Sequence, residues 1–383
     1  MTGDVVREIQ KVLPSIRAKR EEIETARRMP ADLVGALVKT GVFALGVPRA
    51  LGGHEATLNE ILRAIETVAT ADGSAGWIAM IGVSGNCVAG MMNEAGAKEV
   101  FADPTLPSAG IAAPIGQAIP FDGGYRVSGR WPFASGITHS EWAFAGALVM
   151  DGEQPRMTPH GPAIVHAWTR VADAEIHDTW HVSGLRGTGS NDFSVSGVEV
   201  PEHRIFSLFD PSGHRPEPLY QLSPPGFFAP QVAAVGLGIA RASIDELSEL
   251  AQTKAPVMSS AVLADKPVAQ IEIARAEASL QAARAFLHDA VGDIWETMAA
   301  GDAFTMRQEA LVRSAANNAV ETAARVTATV NTLGGSSSIY SASSLQRHMR
   351  DAEAVTHHFT VTPHVWEDAG RVLLGRSPTM PIF

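Results

Sequence analysis

Between Ala109 and about Pro201 the hydrophobic pattern of the chain changes period, and this change restricts the folds open to it. Short runs rich in β-branched and aromatic residues alternate there with turn residues: Gly123 and Gly124, Asp151 and Gly152, Gly161 and Pro162, Gly184, Gly187. Such runs predict strands joined by tight turns. On both sides, apolar residues return at three- and four-residue intervals, the spacing of an amphipathic helix. Helices and strands held in separate blocks predict an α+β chain rather than a doubly wound one. The expected organisation is a helical domain over 1–107, a central antiparallel β-domain over 108–212 and a four-helix bundle over 213–383.

In the first block, Val5, Ile9, Leu13 and Ile16 predict a helix over 4–28. Pro30 and Asp32 open a second, which Gly41 ends. An extended piece over 42–48 and a turn at Gly52 and Gly53 come next, then helices over 58–72 and 74–92. In the last block, Ala, Leu, Glu and Arg predict long helices over 228–254, 266–300, 304–333 and 341–376. Gly334 and Gly335 separate the last two. The Pro-rich segment 211–230 reads as a linker. Within it, Phe227 and Phe228 either line a pocket or plug a helix end.

Composition removes several functions. The net charge is −11 and there is no Lys/Arg run, which argues against a nucleic-acid surface. Cys87 is the only cysteine, so neither an internal disulfide nor a Cys-type zinc site is available. The thirteen histidines contain no H-E-x-x-H, and no catalytic metal is expected. No apolar run reaches the length of a membrane span, and the first residues lack the features of a signal peptide. A cytoplasmic location without a membrane partner is the expectation. Gly236 and Gly238 form no dinucleotide fingerprint, because no strand precedes them and the third glycine is missing.

The most distinctive stretch is SGRWPFASGITHSEWAFAGALVM, residues 128–150. Alternation in its first part places Trp131, Phe133 and Ser135 on one strand face. Pro132 has no N–H, which limits that strand to an edge, a bulge or an end. A flat aromatic surface beside a hydroxyl, closed by Gly136, suits a planar ligand held by one directed hydrogen bond. The same pattern also describes an ordinary half-buried strand.

The motif W-x-F-x-S-G followed by H-x-x-W-A-x-x-G-A resembles the flavin-proximal strand of the two-component, group D flavin-dependent monooxygenases. Further matches follow in order: DTWHVSGLRGTGSND (178–192), VPEHR (200–204), and LQRHMRD (345–351) with His358. The resemblance implies an acyl-CoA dehydrogenase-like fold and a homotetramer. It implies an oxygenase component that takes reduced, diffusible FAD, with FMN as the alternative, from a separate flavin reductase. Such an enzyme reacts with molecular oxygen, forms a flavin C4a-hydroperoxide and hydroxylates or epoxidises a small aromatic substrate. The segment Pro256–Gln270 and the Pro-Ile-Phe end are most similar to indole oxygenases, with phenols still open.

Carried onto this sequence, the resemblance implies catalytic roles for Ser135, beside flavin N5, and for His358, facing flavin and substrate. On a regular helix Asp351 and His358, seven apart, share a face; His357 is the alternative if the register differs by one. Trp131, Phe133, Ser135 and Gly136 are expected to pack around the flavin. Thr188, Gly189 and Ser190 either hold its phosphate or ribityl chain or form a plain turn; Arg186 either neutralises the phosphate or is a solvated loop charge. Gly334 and Gly335 either approach a neighbouring subunit's flavin or only break a helix. Asn86, Phe227 and Phe228 are the substrate-binding candidates. Two other functions fit the same scaffold: an acyl-CoA dehydrogenase and a non-catalytic flavin-binding tetramer. Glu353 and Glu367 do not fall where a dehydrogenase would need its catalytic carboxylate.

Overall fold

The computed structural model describes residues 2–159, 161–257, 259–380 and 383. The N-terminal block holds α1 (Thr2–Ala18), α2 (Arg20–Ala26), α3 (Ala31–Thr40), α4 (Leu58–Ala69), α5 (Gly73–Cys87) and α6 (Glu94–Val100). The expected first helix is interrupted at Lys19, and the piece expected to be extended forms a 3-10 turn over Val42–Ala44. Thr57 and Glu60 start α4 with a capping box, each satisfying a free N–H of the other's segment.

The strands are β1 (Ala109–Phe121), β2 (Gly124–Trp131), β3 (Trp142–Asp151), β4 (Gln154–Pro155), β5 (Met157–Thr158), β6 (Gly161–Pro162), β7 (Ile164–Arg170), β8 (Glu175–His177), β9 (Asp192–Pro201) and β10 (Ile205–Phe206). The main sheet runs β10-β7-β3-β1-β2-β9-β8, with β4 paired to β3. All its neighbours are antiparallel except β1 and β3, which run parallel, so the sheet is mixed rather than wholly antiparallel. The register between those two strands shifts between Ile111 and Gly116.

Trp131 ends β2 and is wholly buried inside this sheet domain. It stacks on Phe193, and its indole N–H donates to the Gly146 carbonyl at 2.8 Å. A Cβ at Gly116 would lie 2.2 Å from the ring, so a glycine there makes the slot. No ring surface is left for a ligand, and the cofactor role expected of Trp131 is replaced by core packing.

The last block holds α7 (Pro218–Gln221), α8 (Pro224–Ala251), α9 (Pro267–Ala299), α10 (Met306–Leu333), α11 (Ser344–Thr356) and α12 (His364–Leu373). Helix α8 starts four residues earlier than its pattern predicts. Ser223 caps it, and Pro224 and Pro225 occupy the first turn, where a missing N–H costs nothing. Phe227 and Phe228 therefore sit on the helix and not in a linker. The expected fourth long helix breaks in two around a turn at Phe359–Val361. Helix α8 is long and apolar enough to cross a bilayer, but 89% of its most apolar window is buried inside the protein. It is a central core helix. A Cβ at Gly238 would lie 2.5 Å from that of Ala69, which shows how closely α8 and α4 approach. The N-terminal and C-terminal helices share one apolar core, in which Ile61 and Ile65 join Val232, Leu237, Val320 and Ala323.

Asn86, expected to touch substrate, instead joins the helices to the sheet. It is fully buried. Its amide N–H groups reach the carbonyls of Phe43 at 3.0 Å and Leu106 at 2.8 Å, and its oxygen accepts from Ser108 at 2.7 Å. Asn86→Ala leaves these groups buried and unpaired. A cost on the order of 3 kcal/mol is expected, read as a lower urea midpoint; unchanged stability with a raised KM would return Asn86 to the substrate.

Candidate active site

Pro132 stops the strand, and the next residue leaves it altogether. Phe133 adopts a left-handed backbone (φ 65°), uncommon for a residue with a side chain, and its ring is 65% exposed. Trp131 and Phe133 therefore do not share a strand face with Ser135. The turn throws Phe133 out beside Trp180, edge to face at 6.1 Å, and folds Ser135 inward. The exposed Phe133 ring remains available to a flat ligand.

Ser135 is buried in a chain of hydroxyls. Its Oγ lies 2.6 Å from Ser190 Oγ, which lies 2.7 Å from Thr188 Oγ1, which donates to the Leu185 carbonyl at 2.8 Å. The last step fixes the direction of the others. A carbonyl only accepts, so Thr188 spends its proton on Leu185; Ser190 must then donate to Thr188, and Ser135 to Ser190. On its other side Ser135 Oγ accepts from the Trp77 indole N–H at 3.1 Å. Its proton is spent, and what remains is an acceptor lone pair.

The loop that carries Thr188 and Ser190 is itself fixed from three elements. Leu185 is left-handed (φ 52°), and its N–H donates to buried Asp351 of α11 at 2.6 Å. The Gly187 N–H donates to Ser74 of α5 at 3.1 Å, and the Gly136 N–H donates to the Thr188 carbonyl at 3.1 Å. Arg186 turns toward Glu24, 3.8 Å away, around which Arg347 and Arg350 also gather. It joins that ion cluster through Nε alone, at a distance beyond a hydrogen bond, and its side chain is 38% exposed. A cleft of about 330 Å³ opens beside this loop, lined by Ala26, Arg27, Arg28, Thr138, Asp178 and Asn191.

His358 meets the same site by a different route than helix register. Helix α11 ends at Thr356, and His358 is extended, at the start of the following turn. The seven-residue spacing to Asp351 therefore does not place the two on one face. The His358 ring packs edge to face on Trp77, with centroids 5.6 Å apart. Its Nδ1 accepts from the Thr360 N–H at 3.4 Å and contacts the Thr360 hydroxyl at 2.8 Å, which leaves the ring proton on Nε2. Burial pushes its pKa down to about 4, so the imidazole is neutral at pH 7 and offers an Nε2–H donor. His357, the alternative, is 77% exposed.

Trp77 is the residue that sequence reasoning missed. Its N–H touches Ser135 and its ring touches His358. The one signal was its size: it is the large side chain in GSAGWIAM, an otherwise small-residue helix start. The remaining candidates separate. Phe227 is a core residue, packed edge to face on the half-buried Phe228 at 5.3 Å. Gly334 and Gly335 lie at the far end of α10, where Lys254 Nζ contacts the Gly334 carbonyl and Ser337. Glu353 and Glu367 are 67% and 63% exposed.

Asp351 is pushed up to about pH 7 by burial and by Asp72, itself raised by burial at the cap of α5. An unfolded aspartate titrates near 3.8. The folded state thus keeps a proton that the unfolded chain releases between pH 4 and 7. Stability from this group is fully present at low pH and is lost as pH rises through about 7. Asp351→Asn keeps the acceptor for Leu185 and removes the titration. Its thermal midpoint should gain on the wild type between pH 5 and pH 8; a constant difference across that range would show Asp351 ionised throughout.

Comparison with known proteins identifies the fold and the family. Residues 4–103 match the acyl-CoA dehydrogenase N-terminal domain, and residues 231–363 match the acyl-CoA dehydrogenase C-terminal domain. The chain is 33% identical to an indole-3-acetate monooxygenase of Pseudomonas putida, over 94% of this chain and 91% of that protein. It is 30% identical to the flavin-dependent monooxygenase oxygenase subunit HsaA of Rhodococcus jostii, over 92% and 93%. Among solved structures, 3-HSA hydroxylase from Rhodococcus sp. RHA1 superposes with a TM-score of 0.90 at 28% identity, covering 99% of both chains. XiaF from Streptomyces sp., in complex with FADH2 and glycerol, gives 0.90 at 25% identity, covering 100% of this chain and 98% of that one.

Proposed function

Since the chain belongs to the flavin-dependent monooxygenases built on the acyl-CoA dehydrogenase fold, as an oxygenase component, we propose that it uses reduced FAD, or FMN, to oxygenate an indole-type aromatic. Support for the substrate class comes from the relative that acts on indole-3-acetate. Reduced flavin comes from a separate reductase. The protein works as a cytoplasmic homotetramer. Apolar side chains exposed on one copy, Val268 and Ile271 of α9 with Ile339 and Tyr340 after α10, support association.

The observation that carries the reading is the proton order at Ser135. Reduced flavin has an N–H at N5; oxidised flavin has a bare nitrogen. Ser135 Oγ, left as an acceptor by the chain from Leu185, complements the first and not the second. Phe133, exposed, supplies an aromatic surface to the ring. Bound there, reduced flavin supplies two electrons to dioxygen, so that one oxygen atom enters the substrate and the other leaves as water. The protein's own part is to hold N5–H, to exclude water with Trp77 and to present the His358 Nε2–H to the oxygen or to a substrate heteroatom.

The test supplies a flavin reductase, NADH, FAD and indole and follows oxygen uptake and product. Oxygenated product that requires both this chain and reduced flavin is expected. Flavin bleached by an acyl-CoA without a reductase would replace this reading with a dehydrogenase.

The hydroxyl chain makes a sharper forecast. Ser135→Ala should divert oxygen to free hydrogen peroxide, lowering coupled product on the order of tenfold, the effect of about one hydrogen bond to the reacting group. Thr188→Val releases the chain from Leu185 and lets Ser135 donate outward. The ratio of oxidised- to reduced-flavin affinity should then rise; equal ratios in wild type and Thr188→Val would show that proton order plays no part.

A further inference from the structure

A buried arginine that the site above does not use lies directly behind it. Glu309, Arg313 and Asn317 follow one another at four-residue spacing on one face of α10, each at most 1% exposed. Among the described residues their polar atoms are only partly matched. Ser223 donates to Glu309 Oε1 at 2.7 Å, and none of those residues donates to Oε2. Asn317 Nδ2 donates to the Thr362 carbonyl at 3.0 Å, and none of them donates to its Oδ1. Arg313 Nη2 donates to the Thr360 carbonyl at 3.4 Å, while Nε and Nη1 find no acceptor among them.

A guanidinium cannot shed its proton, and a buried one without acceptors is costly. The nearby acids do not meet the need. Glu309 and Asp368 act on Arg313 through space, without an ion pair among the described residues. The Asp368 oxygens are already taken by Thr379 and Met380. Burial raises Glu309 to about 7, which lets it carry a proton toward an anion and not compete with one. The Phe383 ring lies over the guanidinium at 5.3 Å, so the cation also presents a face to an aromatic group.

Thr360 joins this arginine to the site. Its carbonyl takes the Arg313 N–H, and its own N–H and hydroxyl hold His358 Nδ1. A substrate whose ring lies at His358 and Trp77 therefore has an incompletely matched cation on the other side of the Thr360 peptide.

We propose that Arg313 receives a carboxylate carried by the aromatic substrate and so selects acidic over neutral substrates. The proposal rests on the monooxygenase reading for the ring end of the ligand. A monoanion fits better than a phosphate dianion, because one guanidinium balances one negative charge and Asn317 Oδ1 on the same helix face is an acceptor. The planar carboxylate also matches the planar guanidinium.

The test compares indole-3-acetate with its neutral near-isostere indole-3-acetamide on the full-length protein. Affinity is read by equilibrium dialysis without turnover, and kcat/KM with reductase-supplied flavin. Wild type should favour the acetate. Arg313→Met should weaken acetate binding by roughly 50-fold, the loss expected of a buried charged pair, and acetamide binding far less. Arg313→Lys, which keeps the charge and loses the fork, should fall between them. Equal weakening of both ligands, or no acetate preference in wild type, overturns the proposal; the wild-type comparison stands even if Arg313→Met fails to fold. Arginine-dependent acetate binding without any oxygenation would sustain the carboxylate site and sink the monooxygenase reading. Oxygenation of indole without a preference for acetate would do the reverse.

Discussion

The Asp351 carboxylate, accepting the Leu185 N–H, is the contact on which the rest of the site depends. It comes from the last third of the chain and fixes a loop of the sheet domain in a left-handed conformation that a leucine does not favour. The same carboxylate lies against Gly73, where a Cβ would come within 2.9 Å of it. There Asp72 caps α5, the helix that carries Trp77. One group thus sets both the hydroxyl chain that reaches Ser135 from one side and the indole that reaches it from the other. The cost is a pair of buried acids: burial raises both, and Asp72 raises Asp351 further.

Hydroxyl chains in a buried site are directional. In water Ser135 would exchange donor and acceptor roles freely. Here the Leu185 carbonyl, three hydroxyls away, removes that freedom. Trp77 adds a donor and shields the chain from solvent, being only 8% exposed itself. Low local polarity makes each of these bonds count for more, and makes an unmatched one expensive. The neutral His358 obeys the same rule: Thr360 settles which nitrogen holds the proton, and burial settles that there is only one.

Much of the layout was legible in the sequence, though not always for the right local reason. Helix and strand blocks were plain because their periods differ. Ser135 and His358 were picked out by motif, and the structure brings both to Trp77. The regular geometries used to relate them do not hold: Pro132 and the left-handed Phe133 break the strand alternation, and α11 stops before His358. Asn86 and Phe227 have the residue types of a binding site and serve the scaffold instead. Asn86 is claimed by partners far away in sequence, such as Phe43, which local pattern does not reveal. Parallel pairing of β1 and β3 was hidden for the same reason. The Pro-Ile-Phe end and the segment Pro256–Gln270 bear less on this account, since Met258, Pro381 and Ile382 lie outside the described residues.

Helix α10 sets a limit on what one chain can do alone. Arg313, near its start, is tied through Thr360 to the His358 turn, whereas Gly334 and Gly335 follow its last turn. Twenty-one residues of helix span roughly 30 Å at 1.5 Å each. A single straight element cannot bring both ends to one isoalloxazine ring. Contact of Gly334 and Gly335 with an isoalloxazine ring held at His358 would therefore need the ring of a second copy. The exposed Ile339 and Tyr340 that follow these glycines are side chains such a contact would cover. Flavin affinity and association of the copies would then be linked, each strengthening the other by the same free energy.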